Sequence, residues 1–185
     1  MAGHWIITGR SRCGKSTLVK ELTIPTQRRA GRWVGVLDPI LTDAVGVPMA
    51  TKLWGADWVT ASPEAFVHAA RHSEECVWIV DEYRVFSKDY DATTCLEWMA
   101  FAAGNFGHLC YFMAQRLMMI PPNVRGQCSN AIVFEQAPEE LKDLSRQFNC
   151  PEILNASQLP RFQAILKEEY QPPVVIVTPA PKKRA

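Results

Sequence analysis

Residues 4–17 read HWIITGRSRCGKST: an apolar, β-branched run, then a glycine-bounded loop, then a helix start. This order of strand, Gly-x-x-x-x-Gly-Lys-Ser and helix decides the fold class. Gly9 and Gly14 let the backbone turn and come close to a phosphate. Successive N–H groups and the helix N-terminus then face the anion. Lys15 reaches the β- and γ-phosphates, and the Ser16 hydroxyl can ligate Mg²⁺. The whole loop, Gly9, Arg10, Ser11, Arg12, Cys13, Gly14, Lys15, Ser16 and Thr17, is therefore read as a nucleotide-binding segment for ATP with Mg²⁺. Arg10 and Arg12 stand where the pattern needs no particular side chain. Added charge near the phosphates, contact with a neighbouring subunit and plain solvated arginines all stay open for them.

Outward from this loop, short apolar runs alternate with helical stretches. Residues 16–22 begin a helix. Residues 32–37 (RWVGVL) form a second strand that ends at Asp38-Pro39, and residues 58–60 (WVT) a short one. Ser62-Pro63-Glu64 opens a helix running to about His72, with Ser62 as cap and Pro63 in the first turn. Residues 76–80 (CVWIV), 109–113 (LCYFM), 131–134 (AIVF) and 162–166 (FQAIL) are further strands. Helices are expected over 92–103 and 138–148. Strands that are apolar throughout and alternate with helices imply an α/β fold: a mainly parallel sheet covered on both faces, with closing strands that could be antiparallel. Residues 1–170 read as one domain. Residues 171–185, rich in proline and ending Lys182-Lys183-Arg184, read as an extended, flexible tail.

Composition narrows the function classes. The chain has 185 residues, is 48% hydrophobic and carries a formal net charge of +1. Contact with nucleic acid must then rely on a local basic patch, not on the charge of the whole chain. Six cysteines are scattered without metal-ligand spacing, which favours reduced, structural thiols. No basic leader with a long apolar core opens the chain, and no apolar run approaches the ~20 residues of a membrane helix. The expected location is the cytoplasm.

The second half of the phosphate chemistry lies in VWIVDE, residues 77–82. Asp81, at the end of a buried strand, can hold a Mg²⁺ water beside Ser16. Glu82 can polarise a water for attack on the γ-phosphate. Gln115 closes the next strand, where a neutral amide can reach the γ-phosphate or that water. Lys15, Glu82 and Gln115 are thus candidate catalytic groups, with Ser16 and Asp81 as metal ligands.

Taken in order, GRSRCGKST, VGVLDP, CVWIVDEY and LCYFMAQR followed by IPPNVRGQCSNAIVF resemble the FtsK/HerA group of P-loop ATPases across about residues 4–135. The strand-end Gln-Arg with a downstream I-P-P-x-x-R is the most specific element. Within that group the chain is most similar to the small viral genome-packaging ATPases. The resemblance implies a RecA-like (ASCE) core, a ring-shaped homo-oligomer, commonly a hexamer, and ATP-driven movement of double-stranded DNA. A capsid or portal-vertex protein is a further implied partner, and the host cytoplasm or the virion the implied setting. The stretch AAGNFGH, residues 102–108, lacks the arginine that group members often carry there. A trans-acting arginine finger must then come from Arg125, Arg116 or Arg84, in that order. Asp38 matches the group's strand-end Asp-Pro; a link to a DNA-facing loop and simple turn initiation are equally good accounts. Within residues 39–57, Lys52 and Trp54 offer a phosphate contact and a stacking face for DNA, against a surface excursion with Trp54 in the core. A P-loop nucleotide kinase and a non-hydrolysing, ATP-dependent assembly protein are the alternatives.

Overall fold

The computed structural model describes residues 3–39, 54–86 and 90–179. Its strands are β1 (His4–Thr8), β2 (Val34–Leu37), β3 (Trp58–Thr60), β4 (Val77–Val80), β5 (Leu109–Ala114), β6 (Cys128–Phe134), β7 (Gln163–Lys167) and β8 (Val174–Val177). They form one sheet in the order β3-β2-β4-β5-β1-β6-β7-β8. The six strands from β3 to β6 pair in parallel, and β7 and β8 close the sheet antiparallel. Strand β5 lies between the P-loop strand β1 and the acid-bearing strand β4: Tyr111 is in register with Trp5 on one side and Ile79 on the other. This is the RecA-like arrangement.

Strands β2, β4 and β5 are apolar and buried at every position because both faces of the sheet are covered there. Successive side chains point to opposite faces. Trp5, Ile7, Val77, Ile79, Tyr111 and Met113 pack with Leu18, Val19 and Ile24. Ile6, Trp78, Val80, Cys110 and Phe112 pack on the other face with Phe66, Leu96, Met99 and Leu141. Each such side chain contributes roughly 2 kcal/mol by burial. The two layers hold the ends of β1, β4 and β5 in fixed register, and the candidate site is built on those ends.

The first face is covered by α1 (Lys15–Leu18), a π-helical turn over Val19–Thr23 and α2 (Ile24–Arg29). The helix that residues 16–22 begin thus runs on to Arg29, through Pro25. Proline has no N–H to donate and its ring crowds the preceding turn, and a widened turn just before it absorbs both. On the other face, α3 (Pro63–Arg71) starts at Ser62, whose Oγ accepts from Ala65 N at 3.1 Å. The remaining helices are α4 (Tyr90–Phe101), α5 (Pro122–Arg125) and α6 (Pro138–Gln147).

One expectation changes. The segment read as a flexible tail from Gln171 supplies β8, with Gln163 opposite Val177 and Leu166 opposite Val174. Four β-branched residues favour a strand, and Pro172-Pro173 and Pro179 confine it to a short edge. Lys182–Arg184 lie outside the described residues. All six cysteines are free. Among the described residues no helix is long and apolar enough to cross a membrane.

Candidate active site

The loop between β1 and α1 is held in a shape that only glycine tolerates at two points. Gly9 has φ 155° and Gly14 φ 123°. A Cβ at Gly9 would stand 2.5 Å from Phe134 Cβ and 2.8 Å from Cys13 Sγ. At Gly14 it would stand 2.9 Å from Phe162 Cδ1. The loop is thus clasped by β6 and by the turn that leads into β7.

Lys15 is buried, and its ammonium folds back on the loop. Nζ donates to Gly9 O at 2.7 Å and to Arg10 O at 3.1 Å. Its hydrogen bonds thus go to neutral carbonyls alone, and an anion in the loop would give the ammonium a charged partner at hydrogen-bond distance. Lys15, Ser16 and Thr17 line a cleft of about 260 Å³ together with Glu82, Arg161 and Phe162. The bare glycines, the buried ammonium bonded only to carbonyls and the open cleft fit a triphosphate.

Asp81 and Glu82 leave the end of β4 in different environments. Asp81 is 8% exposed, and its carboxyl is pushed up to about 7, first by burial and then by Asp38 and Glu82, against the pull of Lys15. Such a carboxyl gains from a cation placed beside it. Glu82 is half-buried and sits at φ 46°, ψ 57°. That left-handed backbone costs a non-glycine residue on the order of 1 kcal/mol and is a feature of functional sites. It turns the carboxylate into the P-loop cleft. Gln115, one residue past β5, donates Nε2 to Glu82 Oε2 at 3.3 Å and Oε1 at 3.5 Å. The strand inserted between β1 and β4 therefore delivers an amide to the acid of its neighbour.

Among the described residues no cluster of three or more His, Cys, Asp or Glu side chains is placed to hold a metal. Mg²⁺ does not need one: it commonly keeps several waters and takes one or two protein oxygens with those of a phosphate. Ser16 and Asp81 fit that donor set.

The structure assigns Arg10 a contact. Its Nη1 pairs with Glu135 Oε1 at 2.9 Å and its N–H bonds Glu135 O at 3.2 Å, which ties the loop to the end of β6. Arg12 takes φ 62° and its carbonyl accepts from Arg161 Nε at 2.9 Å. Cys13 is buried, and burial pushes its thiol pKa up. Ser11 and Arg116 line a second cleft of about 500 Å³ with Arg10, Gln115 and Gln136. Arg125 lines neither cleft; its Nη1 lies 3.7 Å from Met118 Sδ. Arg84 is exposed.

Trp54 is corrected as a stacking face for DNA. It is 2% exposed; its Nε1 donates to Asp38 Oδ2 at 2.7 Å and Lys20 Nζ sits 4.4 Å over its ring. A ring so enclosed has no free face. Lys52 lies outside the described residues. The residues that reading by motif missed are Glu135, Arg161, Phe162 and Thr178. Each meets the loop from more than 100 positions away, and no local pattern marks them.

No family model and no curated protein matches the chain by sequence. Solved structures do match by fold. The DNA-packaging ATPase B204 of Sulfolobus turreted icosahedral virus superposes with a TM-score of 0.73 at 19% identity, over 94% of this chain and 96% of that one. The genome-packaging NTPase B204 of Sulfolobus turreted icosahedral virus 2, in complex with ATP-gammaS, gives 0.72 at 16% identity, again over 94% and 96%. VirB4 of Thermoanaerobacter pseudethanolicus gives 0.67 at 11% identity, over 97% of this chain and 90% of its own. The chain has the RecA-like P-loop ATPase fold, and these neighbours fall in the group that the order of its motifs resembles.

Proposed function

We propose that this chain is an ATP-hydrolysing motor that moves double-stranded DNA and packages a viral genome into a capsid. The observation that carries the reading is Glu82, turned into the P-loop cleft and hydrogen-bonded by Gln115 from the neighbouring strand end. A carboxylate in that place can take a proton from water, which suits hydrolysis better than transfer to a second substrate.

In this mechanism the loop N–H groups and Lys15 bind the β- and γ-phosphates. Ser16 and Asp81 would hold Mg²⁺, which would supply positive charge beside the phosphate oxygens. Glu82 accepts a proton as the water oxygen bonds to the γ-phosphorus. The bond to the β,γ-bridging oxygen breaks, and ADP and phosphate result. Gln115 restrains the Glu82 carboxylate, and its amide is placed to change partner when the γ-phosphate leaves.

The fold neighbours that package viral DNA support the motor reading. On this reading the working form is a homo-oligomeric ring, hexameric by family resemblance, that encircles DNA and docks on a capsid or portal-vertex protein. It operates in the host cytoplasm or on the virion. Arg125, standing apart from its own cleft, is the proposed finger that reaches the γ-phosphate of the next subunit.

The test is ATPase activity with and without duplex DNA across protein concentration. Activity that DNA stimulates and dilution abolishes is expected. Turnover unaffected by DNA and by dilution would overturn the motor reading, tight ATP binding without turnover would favour an assembly protein, and phosphate transfer to a nucleotide acceptor a kinase.

A further inference from the structure

The cleft that runs past Lys15 and Thr17 ends at Arg161 and Phe162. The Arg161 guanidinium carbon lies 4.8 Å from the centroid of the Phe162 ring, so the charged plane is backed by an aromatic one. Phe162 Cδ1 in turn leans on Gly14, the glycine that opens α1. The pair is fixed by backbone bonds. Phe162 N donates to Cys13 O at 3.0 Å, and Phe162 sits at φ 69°. Thr178, at the end of β8, donates both its N–H (2.7 Å) and its hydroxyl (3.0 Å) to Phe162 O. Arg161 Nε is engaged by Arg12 O.

Arg161 Nε and the Phe162 backbone are thus committed to fastening the hairpin on the loop. What is left facing the cleft is a flat, delocalised cation on an aromatic ring. Such a surface holds a base by stacking and by cation–π attraction, and every purine offers it the same kind of face. Hydrogen-bond donors and acceptors aimed at a base edge are what let a site discriminate; of those on the platform itself, Arg161 Nε and the Phe162 N–H and C=O are engaged by the loop and by Thr178.

We propose that Arg161 and Phe162 form the nucleobase platform of this cleft and take a purine by its face, so that ATP and GTP bind about equally. The inference rests on the nucleotide-cleft reading above. It makes the closing hairpin part of the substrate site, and it separates the site into an end that reads phosphate and an end that reads any purine.

The experiment is displacement of a fluorescent ADP from the full chain by ATP, GTP and inorganic tripolyphosphate, for the parent, Arg161→Ala, Arg161→Lys and Phe162→Leu. In the parent, ATP and GTP are expected within about threefold of each other. Arg161→Ala is expected to weaken both by about tenfold, the worth of one stacking contact, and to leave tripolyphosphate within about twofold. Arg161→Lys, which keeps the charge and loses the plane, is expected to weaken both nearly as much, and Phe162→Leu to weaken both somewhat less. A parent preference above about tenfold for one purine would overturn the proposal. Tripolyphosphate weakened in step with the nucleotides would overturn it too, by making the pair only a brace of the loop. The parent ratio and Arg161→Lys decide the matter even if the other variants misfold. A parent that fails to bind tripolyphosphate at all would instead strike the phosphate cradle itself, a distinct result.

Discussion

The two ends of the P-loop cleft are built by opposite means. At the phosphate end, Lys15, Asp81, Glu82 and Gln115 come from the ends of β1, β4 and β5, three adjacent parallel strands. Their relative positions follow from sheet register, and each acts through its side chain. At the hairpin end, Arg161, Phe162 and Thr178 come from two antiparallel strands and reach the loop mostly through backbone hydrogen bonds. A sheet register can be altered only by refolding the core, so the chemical end is rigid. The hairpin end is fastened by a few bonds to one loop, so it can govern how the substrate sits without setting the chemistry. Substitutions at the first end are therefore expected to act on turnover, and those at the second on affinity.

The largest effect is expected from Lys15→Ala, which removes the buried cation and should lower ATP turnover by about a thousandfold in a steady-state assay. Near-parental turnover in this variant would erase the distinction between the ends.

Asp81→Asn follows, and it tests electrostatics apart from catalysis. The folded-state pKa of about 7 lies above the ordinary value of 3.8. The folded protein therefore holds a proton that the unfolded chain releases. The stabilisation is complete below the ordinary value and is lost as pH rises through the folded one. Metal-free Asp81→Asn is thus expected to be more stable than the parent at about pH 8, by ~4 kcal/mol at most, with the gap closing toward about pH 4. A variant that melts lower at about pH 8 would mean that the Asp81 carboxylate is stabilised by a partner.

Gln115→Ala is expected to lower turnover by about thirtyfold while ATP affinity stays within about threefold. A loss confined to affinity would place Gln115 with the hairpin end. The smallest effect sharpens the contrast by lying outside both ends. Trp54→Phe removes the indole N–H bonded to Asp38 and should cost about 1 kcal/mol in denaturant unfolding, with turnover and affinity unchanged.

How legible each end was follows from the same difference. Gly9, Gly14 and Lys15 could be read from the spacing of the glycine loop between strand and helix, and Asp81, Glu82 and Gln115 because each follows a short apolar strand, whose ends the parallel α/β pattern places side by side. The partners of Arg10 and Arg12 were not legible: Glu135 and Arg161 meet the loop across 125 and 149 residues and carry no local signature. The four β-branched residues of β8 were a visible signal, outweighed in the reading by the prolines around them. The widened turn before Pro25 carries no local signature, because it depends on packing against the sheet. Trp54 could be read either way until its bond to Asp38 fixed it inside.

The account turns on Glu82 as the residue that activates water, separate from the groups that bind phosphate. The most direct measurement is Glu82→Gln, with ATP binding and single-turnover cleavage followed on the same preparation. ATP binding within about threefold of the parent, with cleavage slowed about a thousandfold, is expected. Cleavage at the parental rate would contradict the assignment.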